Sequence, residues 1–464
     1  MRRMAGADAG MLYQERPHQH LHTAKIAVLD PPDGTTADHV ADAVRERAVR
    51  IAPLRWVPER PPAKLHHFFW RTVDPDPAEH IRRSTVPAPG GPRELGALVS
   101  ETVSTALPRH RPLWEVTVAD GLEGGRVAVV LKLHHAAADG GSSARIITQL
   151  MDGQSPREVP PPDPEPAPRD LARAAAVDLR DTIAAAPDLV RRTRDAIRAG
   201  RERKQSGVDQ PPEPFTAPAT VYNDRLTPRR AFAYTVLPFD DLRAAKQAHG
   251  CTLNDVLLTL CGGAVRAHLA GIGRLPDEPL TTSVPVGVRR DDELDAFGNR
   301  VGNMYTSLAT DVADPVERLA VVKANTRAAR DHTEARRSER LLFEWQDYDW
   351  LFKPVVMMGH VSTRLAKRPA YNTIVSNVRG PEPLWLDGAE ILEIQSMGQL
   401  AAGLGLNLTS WTYRGQMNIG LVACPEHVPD LWALADGIGP ALAELRAAAL
   451  RQPSSVSARS LAHG

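Results

Sequence analysis

The chain has 464 residues, 42% hydrophobic and 24% charged, with 56 Lys plus Arg against 56 Asp plus Glu, which suits a globular protein of two domains of about 200 residues each; its mix of strands and helices reads as α/β. The balanced charge excludes an overall field that would recruit nucleic acid. Cys251, Cys261 and Cys424 have no CxxC spacing, which excludes a disulfide framework or cysteine zinc site, and no run approaches the roughly 18 apolar residues of a membrane span.

In chain order, the opening MRRMAGADAGMLYQERPHQH lacks the apolar core of a signal peptide, so a cytoplasmic protein is expected. TAKIAVLD (Thr23–Asp30) reads as a strand and ADHVADAVRERAVRI (Ala37–Ile51) as an amphipathic helix. WEVTVADGLEGGRVAVVLKLHH (Trp114–His135) predicts a hairpin, because Trp114, Val116 and Val118 alternate before a Gly-rich turn and an apolar second strand. SSARIITQLMDG (Ser142–Gly153) predicts a short helix with serine caps and Gly153 as its stop. The proline-rich Gln154–Asp170 reads as an extended linker, since proline lacks the amide donor. The Ala/Arg/Leu run after it predicts a helix with Leu171, Leu179 and Ile183 on one stripe, and QPPEPFTAP ends the connection at Pro218.

The second half predicts a helix over Thr252–Gly273 with Thr252 as cap, strands at LTTSVPVGVR (Leu280–Arg289) and YNTIVSNVRG (Tyr371–Gly380), and a hairpin turning at Arg414–Gly415. A last helix is expected over Pro429–Leu450. The organisation read from these elements is a first lobe over 1–153, a Pro-rich and helical linker over 154–218, and a second lobe over 219–464. Neither GxGxxG nor GxxxxGK[ST] occurs, so there is no phosphate loop.

The chemistry concentrates in HHAAADGG (His134–Gly141), where an apolar strand runs into paired imidazoles, an aspartate and two glycines. Adjacent residues of a strand point to opposite faces, so His134 and His135 do not suit one metal ion. The HQHLH cluster (His18, His20, His22) alternates on one face but reads as a surface loop without a carboxylate at ligand spacing, and no metal is expected. An imidazole at the end of a rigid buried strand suits general-base work, with Asp139 fixing the loop that follows. A satisfied core histidine beside a turn-forming aspartate is the structural alternative.

HHAAADG resembles the HHxxxDG signature of the CoA-dependent acyltransferase superfamily, and the whole chain is most similar to bacterial wax ester synthase/diacylglycerol acyltransferases. DAGMLYQE (Asp8–Glu15), RPLWE (Arg111–Glu115), LNDVLLTLCGGAVRAHL (Leu253–Leu269), VPVGVR (Val284–Arg289), GNRVGNMYTSLAT (Gly298–Thr310) and SNVRGP (Ser376–Pro381) match that family's motifs in order. Arg379 departs from them, standing where the family usually has proline.

The resemblance implies two chloramphenicol-acetyltransferase-like lobes with mixed sheets and a tunnel between them. It implies acyl-CoA as co-substrate, no bound cofactor, and transfer to diacylglycerol or a long-chain fatty alcohol without an acyl-enzyme. His135 is then the general base and His134 an orienting residue. Asp139 is expected to be structural, salt-bridged to Arg289. Oxyanion donors are expected from the Gly140 region, Asn254 and Ser410, and the substrate chamber from Pro112, Trp114, Glu115 and Asp255. Arg340–Pro369, with Phe343, Trp345, Trp350, Phe352, Met357 and Met358, has the composition of a peripheral membrane or lipid-droplet contact, with a helix buried against the second lobe as the alternative. The competing readings are a related acyltransferase acting on another alcohol or amine, and a non-catalytic lipid-binding relative.

Overall fold

The computed structural model describes residues 1–451 apart from 65, 155, 157, 207–210, 288–296, 336–337 and 355–365. Four strands of the first half, β2 (His22–Asp30), β5 (Ile81–Thr85), β6 (Trp114–Asp120) and β7 (Val127–His134), form most of one mixed sheet. β7 is buried along its whole length and covered on both faces, which is why it reads as an apolar run rather than an alternation. Val129 and Leu131 pack with Val40, Ala41 and Val44 of helix α2 (Ala37–Ala48). Ala128 and Val130 face Leu95, Val99 and Val103 of α4 (Pro92–Val103), together with Phe232, Tyr234 and Val422 from the second half.

The second six-stranded sheet has the order β10 (Val301–Ser307), β9 (Thr281–Gly287), β11 (Thr373–Arg379), β14 (Leu406–Tyr413), β15 (Gln416–Ala423), β8 (Ala231–Pro238). β11 runs parallel to β9 and β14, and the other pairings are antiparallel. The β14–β15 hairpin turns at Arg414 and Gly415, both at positive φ, the backbone a two-residue hairpin turn needs. Helix α8 (Leu253–Gly271) backs this sheet. Thr252 Oγ1 accepts from the Asp255 amide at 3.1 Å and Asp255 Oδ2 from the Thr252 amide at 2.8 Å, a reciprocal capping box. The first residues form a small third sheet in which β1 (Arg2–Arg3) pairs with β4 (Phe69–Thr72), and β4 with β3 (Trp56–Glu59).

Three features differ from the sequence expectations. First, β12 (Trp385–Leu386) and β13 (Ala389–Met397) cross into the first sheet, where β13 pairs antiparallel with β2. A boundary at 219 therefore divides the chain but not the sheets. Second, helix α6 (Pro168–Gln205) starts inside the proline-rich segment and continues through Pro187; proline is compatible with a first helical turn. Its buried positions are Leu171, Ala175, Thr182 and Leu189, whereas Ile183 is 55% exposed. Third, the cap of helix α5 (Gly140–Gln149) is Asp139, not a serine.

α6 straps both halves. His66 Nε2 lies 2.6 Å from Asp178 Oδ2, and Trp345 Nε1 donates to Thr193 Oγ1 at 2.9 Å. The Tyr348 hydroxyl donates to the Thr182 carbonyl at 2.8 Å.

Candidate active site

β7 delivers the two histidines to opposite faces of the first sheet. His134 pairs directly with His22 of β2, and its ring sits on the α4 face. His135, half-buried one residue beyond the strand, emerges on the α5 face; its amide donates to the Leu21 carbonyl at 2.8 Å. The three alanines that follow are buried and small enough to close the turn, which the Ala137 amide makes by donating to the His134 carbonyl at 3.0 Å. His134 Nδ1 accepts from the Ala136 amide at 3.0 Å, so a neutral His134 carries its proton on Nε2, 3.8 Å from Glu15. His134 thus fixes the turn that presents His135.

The α4 face holds an imidazole layer. The His20 and His22 rings stack with centroids 5.5 Å apart, and His22 meets His134 edge-on at 5.9 Å. HQHLH is therefore not the surface loop expected: His20 and His22 are buried, and among the described residues neither ring nitrogen of His22 has a hydrogen-bond partner. Burial lowers the proton affinity of all three, to about 4 for His20 and about 3 for His134. Among the described residues no group of three or more His, Cys, Asp or Glu side chains is arranged to hold a metal ion.

On the opposite face the second half of the chain closes over the motif. Asp139 Oδ1 accepts from the Ser142 amide at 2.7 Å, capping α5, and Oδ2 accepts from the Arg300 amide at 3.1 Å. The Ser142 hydroxyl donates to the Gly298 carbonyl at 3.2 Å. Asn299 Nδ2 donates to the His135 carbonyl at 2.6 Å and to Asp8 Oδ1 at 2.9 Å, and the Asn299 amide also reaches Asp8 Oδ1 at 2.8 Å. Gly298 has φ +113°, and a Cβ there would lie 3.0 Å from the Asp8 carboxylate, so only glycine fits. Burial raises the Asp8 carboxyl to about 6 against the pull of the Asn299 donors. Burial likewise lowers the His135 proton affinity; Asp139 and the Asn299 side chain oppose this, and the Lys25 charge adds to it.

The remaining expected residues divide. Arg289 lies outside the described residues, so the expected Asp139 pairing does too; the described partners of Asp139 make it a cap and a clamp. Gly140 opens α5, and a Cβ on it would sit 3.6 Å from Val378 of β11, which brings the SNVRGP strand to the histidine motif. In that strand Gly380 is required, because its Cβ would fall 1.9 Å from the Thr412 carbonyl oxygen and 2.2 Å from Trp411 Nε1. Arg379, at the family's usual proline position, extends β11 opposite Thr412.

Ser410 donates to the Ser376 carbonyl at 3.2 Å and to Asn377 Oδ1 at 3.0 Å. It lies on the β14 face of Leu406 and Leu408, away from Trp411, which packs with the first lobe. Asn254 is half-buried in the first turn of α8, and among the described residues no hydrogen bond joins it to His135.

The residues expected at the chamber make architectural contacts. Asp255 completes the α8 cap and accepts from the Thr326 hydroxyl at 2.6 Å. Trp114 is buried, donates Nε1 to the Leu54 carbonyl at 2.7 Å and stacks on His80 at 4.2 Å. Pro112 is buried and accepts from the Trp114 amide at 2.9 Å. Glu115 lies 2.8 Å from Lys132 Nζ and is also paired with Arg82 and Arg111. Burial pushes its pKa up, but these cations more than offset that and hold the carboxylate below its ordinary range. Sequence reasoning gave no role to Asp8, Asn299 or Lys25. The signals were present: a motif aspartate, a GN pair, and one lysine inside an apolar strand.

The profile of the wax ester synthase/diacylglycerol acyltransferase catalytic domain matches residues 4–257, and that of the WS/DGAT C-terminal domain matches 297–446. A provisionally named diacylglycerol O-acyltransferase of Mycobacterium tuberculosis is 37% identical over 459 residues, covering 97% of each chain. The structure of a wax ester synthase/diacylglycerol acyltransferase from Marinobacter aquaeolei VT8 superposes with a TM-score of 0.71 at 25% identity, covering 97% of this chain and 100% of that one. The first condensation domain of the CDA synthetase shares the fold, with a TM-score of 0.60 at 17% identity and 96% of each chain covered. The chain therefore belongs to the wax ester synthase/diacylglycerol acyltransferase family and is an acyltransferase.

Proposed function

We propose that the protein transfers a fatty acyl group from acyl-CoA to the free hydroxyl of diacylglycerol, giving triacylglycerol, with long-chain alcohols as a second acceptor class giving wax esters. The observation that carries this reading is the His135 ring. It is half-buried and favoured in its neutral form by burial, and both halves of the chain fix its backbone, through the Leu21 carbonyl and Asn299 Nδ2. A base held this way accepts the acceptor's hydroxyl proton as the oxygen attacks the thioester carbon. The C–S bond then breaks, and the imidazolium returns the proton to the CoA sulfur. No acyl-enzyme forms. Positioned base catalysis contributes about 10²–10⁴-fold. The Gly140 amide, at the N-terminus of α5, is the donor we assign to the developing oxyanion. Asp139 and His134 hold the frame.

Lipid acceptors reach the site from a surface. Among the described residues no helix is long and apolar enough to cross a membrane. Leu342 and Trp350 are 62% and 58% exposed, with Leu351 beside them, and we assign peripheral lipid contact to them. Phe352 is not part of that contact, because its ring packs against His67 at 6.3 Å; Met357 and Met358 lie outside the described residues. Flotation with liposomes should drop for a folded Leu342→Ser/Trp350→Ser double variant, and unchanged flotation removes this segment as the contact.

The reaction is tested by incubating the purified protein with palmitoyl-CoA and either diacylglycerol or hexadecanol, following thiol release and separating the lipid products. Acceptor-dependent CoA release with ester formation is expected. Release without ester, or no release with either acceptor, overturns the assignment.

A further inference from the structure

The long helix α6 distributes its side chains in lines, because two helical turns take about 7.2 residues and positions seven apart nearly superimpose. Its buried line runs through Leu189 and Ala196, which pack with Leu341, Trp345 and Tyr348. An acidic line, Asp181, Asp188, Asp195 and Glu202, flanks it on one side. On the other flank runs an apolar line, Ile183, Val190 and Ile197, bordered by Arg194, Arg198 and Arg201. At about 100° per residue the acidic and apolar lines stand roughly 160° apart around the axis. Ile183 and Ile197 are 55% and 49% exposed. The three arginines are exposed, and among the described residues no carboxylate lies within ion-pair distance of them. Arginines toward the acidic line are matched instead: Arg191 and Arg192 both pair with Asp188.

The helix Ser338–Gln346 adds to the apolar flank. Arg192 Nη1 donates to Glu344 Oε1 at 2.8 Å, so Glu344 lies on the acidic side of the helix pair. Leu342 stands about 160° around its own helix from Glu344, which puts it on the side of Ile197, and it is 62% exposed. Single exposed apolar side chains are ordinary. Three on one flank, beside unpaired arginines, have the composition of a surface that enters a headgroup layer.

We infer that the Ile183–Ile197 flank of α6 is a docking surface for an anionic lipid layer: the isoleucines enter the boundary between headgroups and acyl chains, and Arg194, Arg198 and Arg201 meet the headgroup phosphates. This deepens, and rests on, the reading that lipid acceptors arrive from a surface. Charge complementarity selects the occupant. A second copy of the same flank would set arginine against arginine, which disfavours a dimer here.

Three cationic side chains at an anionic surface should strengthen partitioning on the order of 100-fold at low salt, and screening should remove most of it. The test floats the purified protein with vesicles of phosphatidylcholine, with and without phosphatidylglycerol, at low and high NaCl. Binding should favour the vesicles with phosphatidylglycerol and weaken with salt. Arg194→Gln/Arg198→Gln/Arg201→Gln should lose most of that preference, and Ile183→Ser/Ile197→Ser should weaken binding to both kinds of vesicle. All five positions are exposed, and circular dichroism and the unfolding midpoint check the fold. Arg45→Gln/Arg229→Gln/Arg243→Gln removes equal charge from exposed positions on other elements and should keep the preference. Equal binding to both kinds of vesicle, or an equal loss in the two triple variants, overturns the inference. So does a dimer, seen by light scattering, that Ile183→Ser/Ile197→Ser dissociates in protein that binds no vesicles. Transfer from palmitoyl-CoA to detergent-dispersed diacylglycerol separates this surface from the reaction. Ester formation without any preference for anionic vesicles overturns the docking surface alone, whereas the expected flotation without ester overturns the reaction and leaves the surface standing.

Discussion

Replacing Asn299 with alanine removes two contacts at once. The Nδ2 bond to Asp8 is charge-assisted whenever Asp8 is ionised and is worth about 1.5–3 kcal/mol; the bond to the His135 carbonyl is worth about 0.5–1.5 kcal/mol. The Asn299 amide still reaches Asp8, so the clamp between the first helix (Gly6–Gln14) and the 298–300 segment loosens without opening. A net loss of about 3 kcal/mol in unfolding free energy is expected from these terms. The effect on rate should be larger than stability alone explains, because a displacement of the base by about 1 Å costs on the order of 100-fold. Urea unfolding followed by circular dichroism reads the first quantity, and kcat/KM for CoA release at pH 7.5 reads the second. Unchanged unfolding and rate would refute the clamp. A destabilised variant with full activity would show that Asn299 ties the halves together without positioning His135.

The buried titratable groups give two pH signatures of opposite sign. Asp8 holds its proton up to about 6 in the folded protein, so its contribution to stability is greatest below the ordinary carboxylate range and falls as pH rises to about 6. Asp8→Asn keeps the acceptor oxygen and should remove that fall, on the order of 2 kcal/mol as the difference in urea stability between pH 4.5 and 7. The depressed imidazoles act the other way: their stability is complete above the ordinary histidine pKa of about 6.5 and is lost as pH falls toward about 4 for His20 and about 3 for His134. His22→Phe, which takes one imidazole from the stack, should lower the midpoint of acid unfolding; an unmoved midpoint would count against the layer as the acid-sensitive element. Asp139→Ala removes the α5 cap, worth about 1 kcal/mol, and the acceptor for the Arg300 amide. It should lose stability and turnover together, whereas Asp139→Asn, which retains the cap oxygen, should keep most of both; a fully stable but slow Asp139→Ala would point to direct chemistry instead.

Local signals were the legible ones. The Thr252 cap, the Arg414–Gly415 turn and the apolar β7 strand each depend on residues within a few positions of one another, where backbone preferences decide. The HHAAADG motif was equally local: strand alternation put His134 and His135 on opposite faces, while the choice of His135 as base came from the family resemblance. Apart from the α5 cap, which is Asp139 rather than a serine, the misses involve distant pairing. β13 lies more than 350 positions from β2, and nothing in its own pattern says which sheet it joins. The face that α6 buries was misread because Ile183 looked like core, while Ala175 and Thr182 are what its neighbours cover. Glu115 and Asp255 sit in family motifs, and their partners Lys132 and Thr326, which join them to a strand pair and a helix start, lie outside those motifs. Asp8 and Asn299 are 291 positions apart. Each looked unremarkable until the fold put one carboxylate behind the histidine.

The most direct measurement is the rate of CoA release from palmitoyl-CoA in the presence of diacylglycerol for His135→Ala, compared with the unaltered protein at matched circular dichroism and unfolding midpoint. Loss of about 10²–10⁴-fold, with the fold intact, is the expected result. A folded His135→Ala protein that makes triacylglycerol at the original rate would contradict the account.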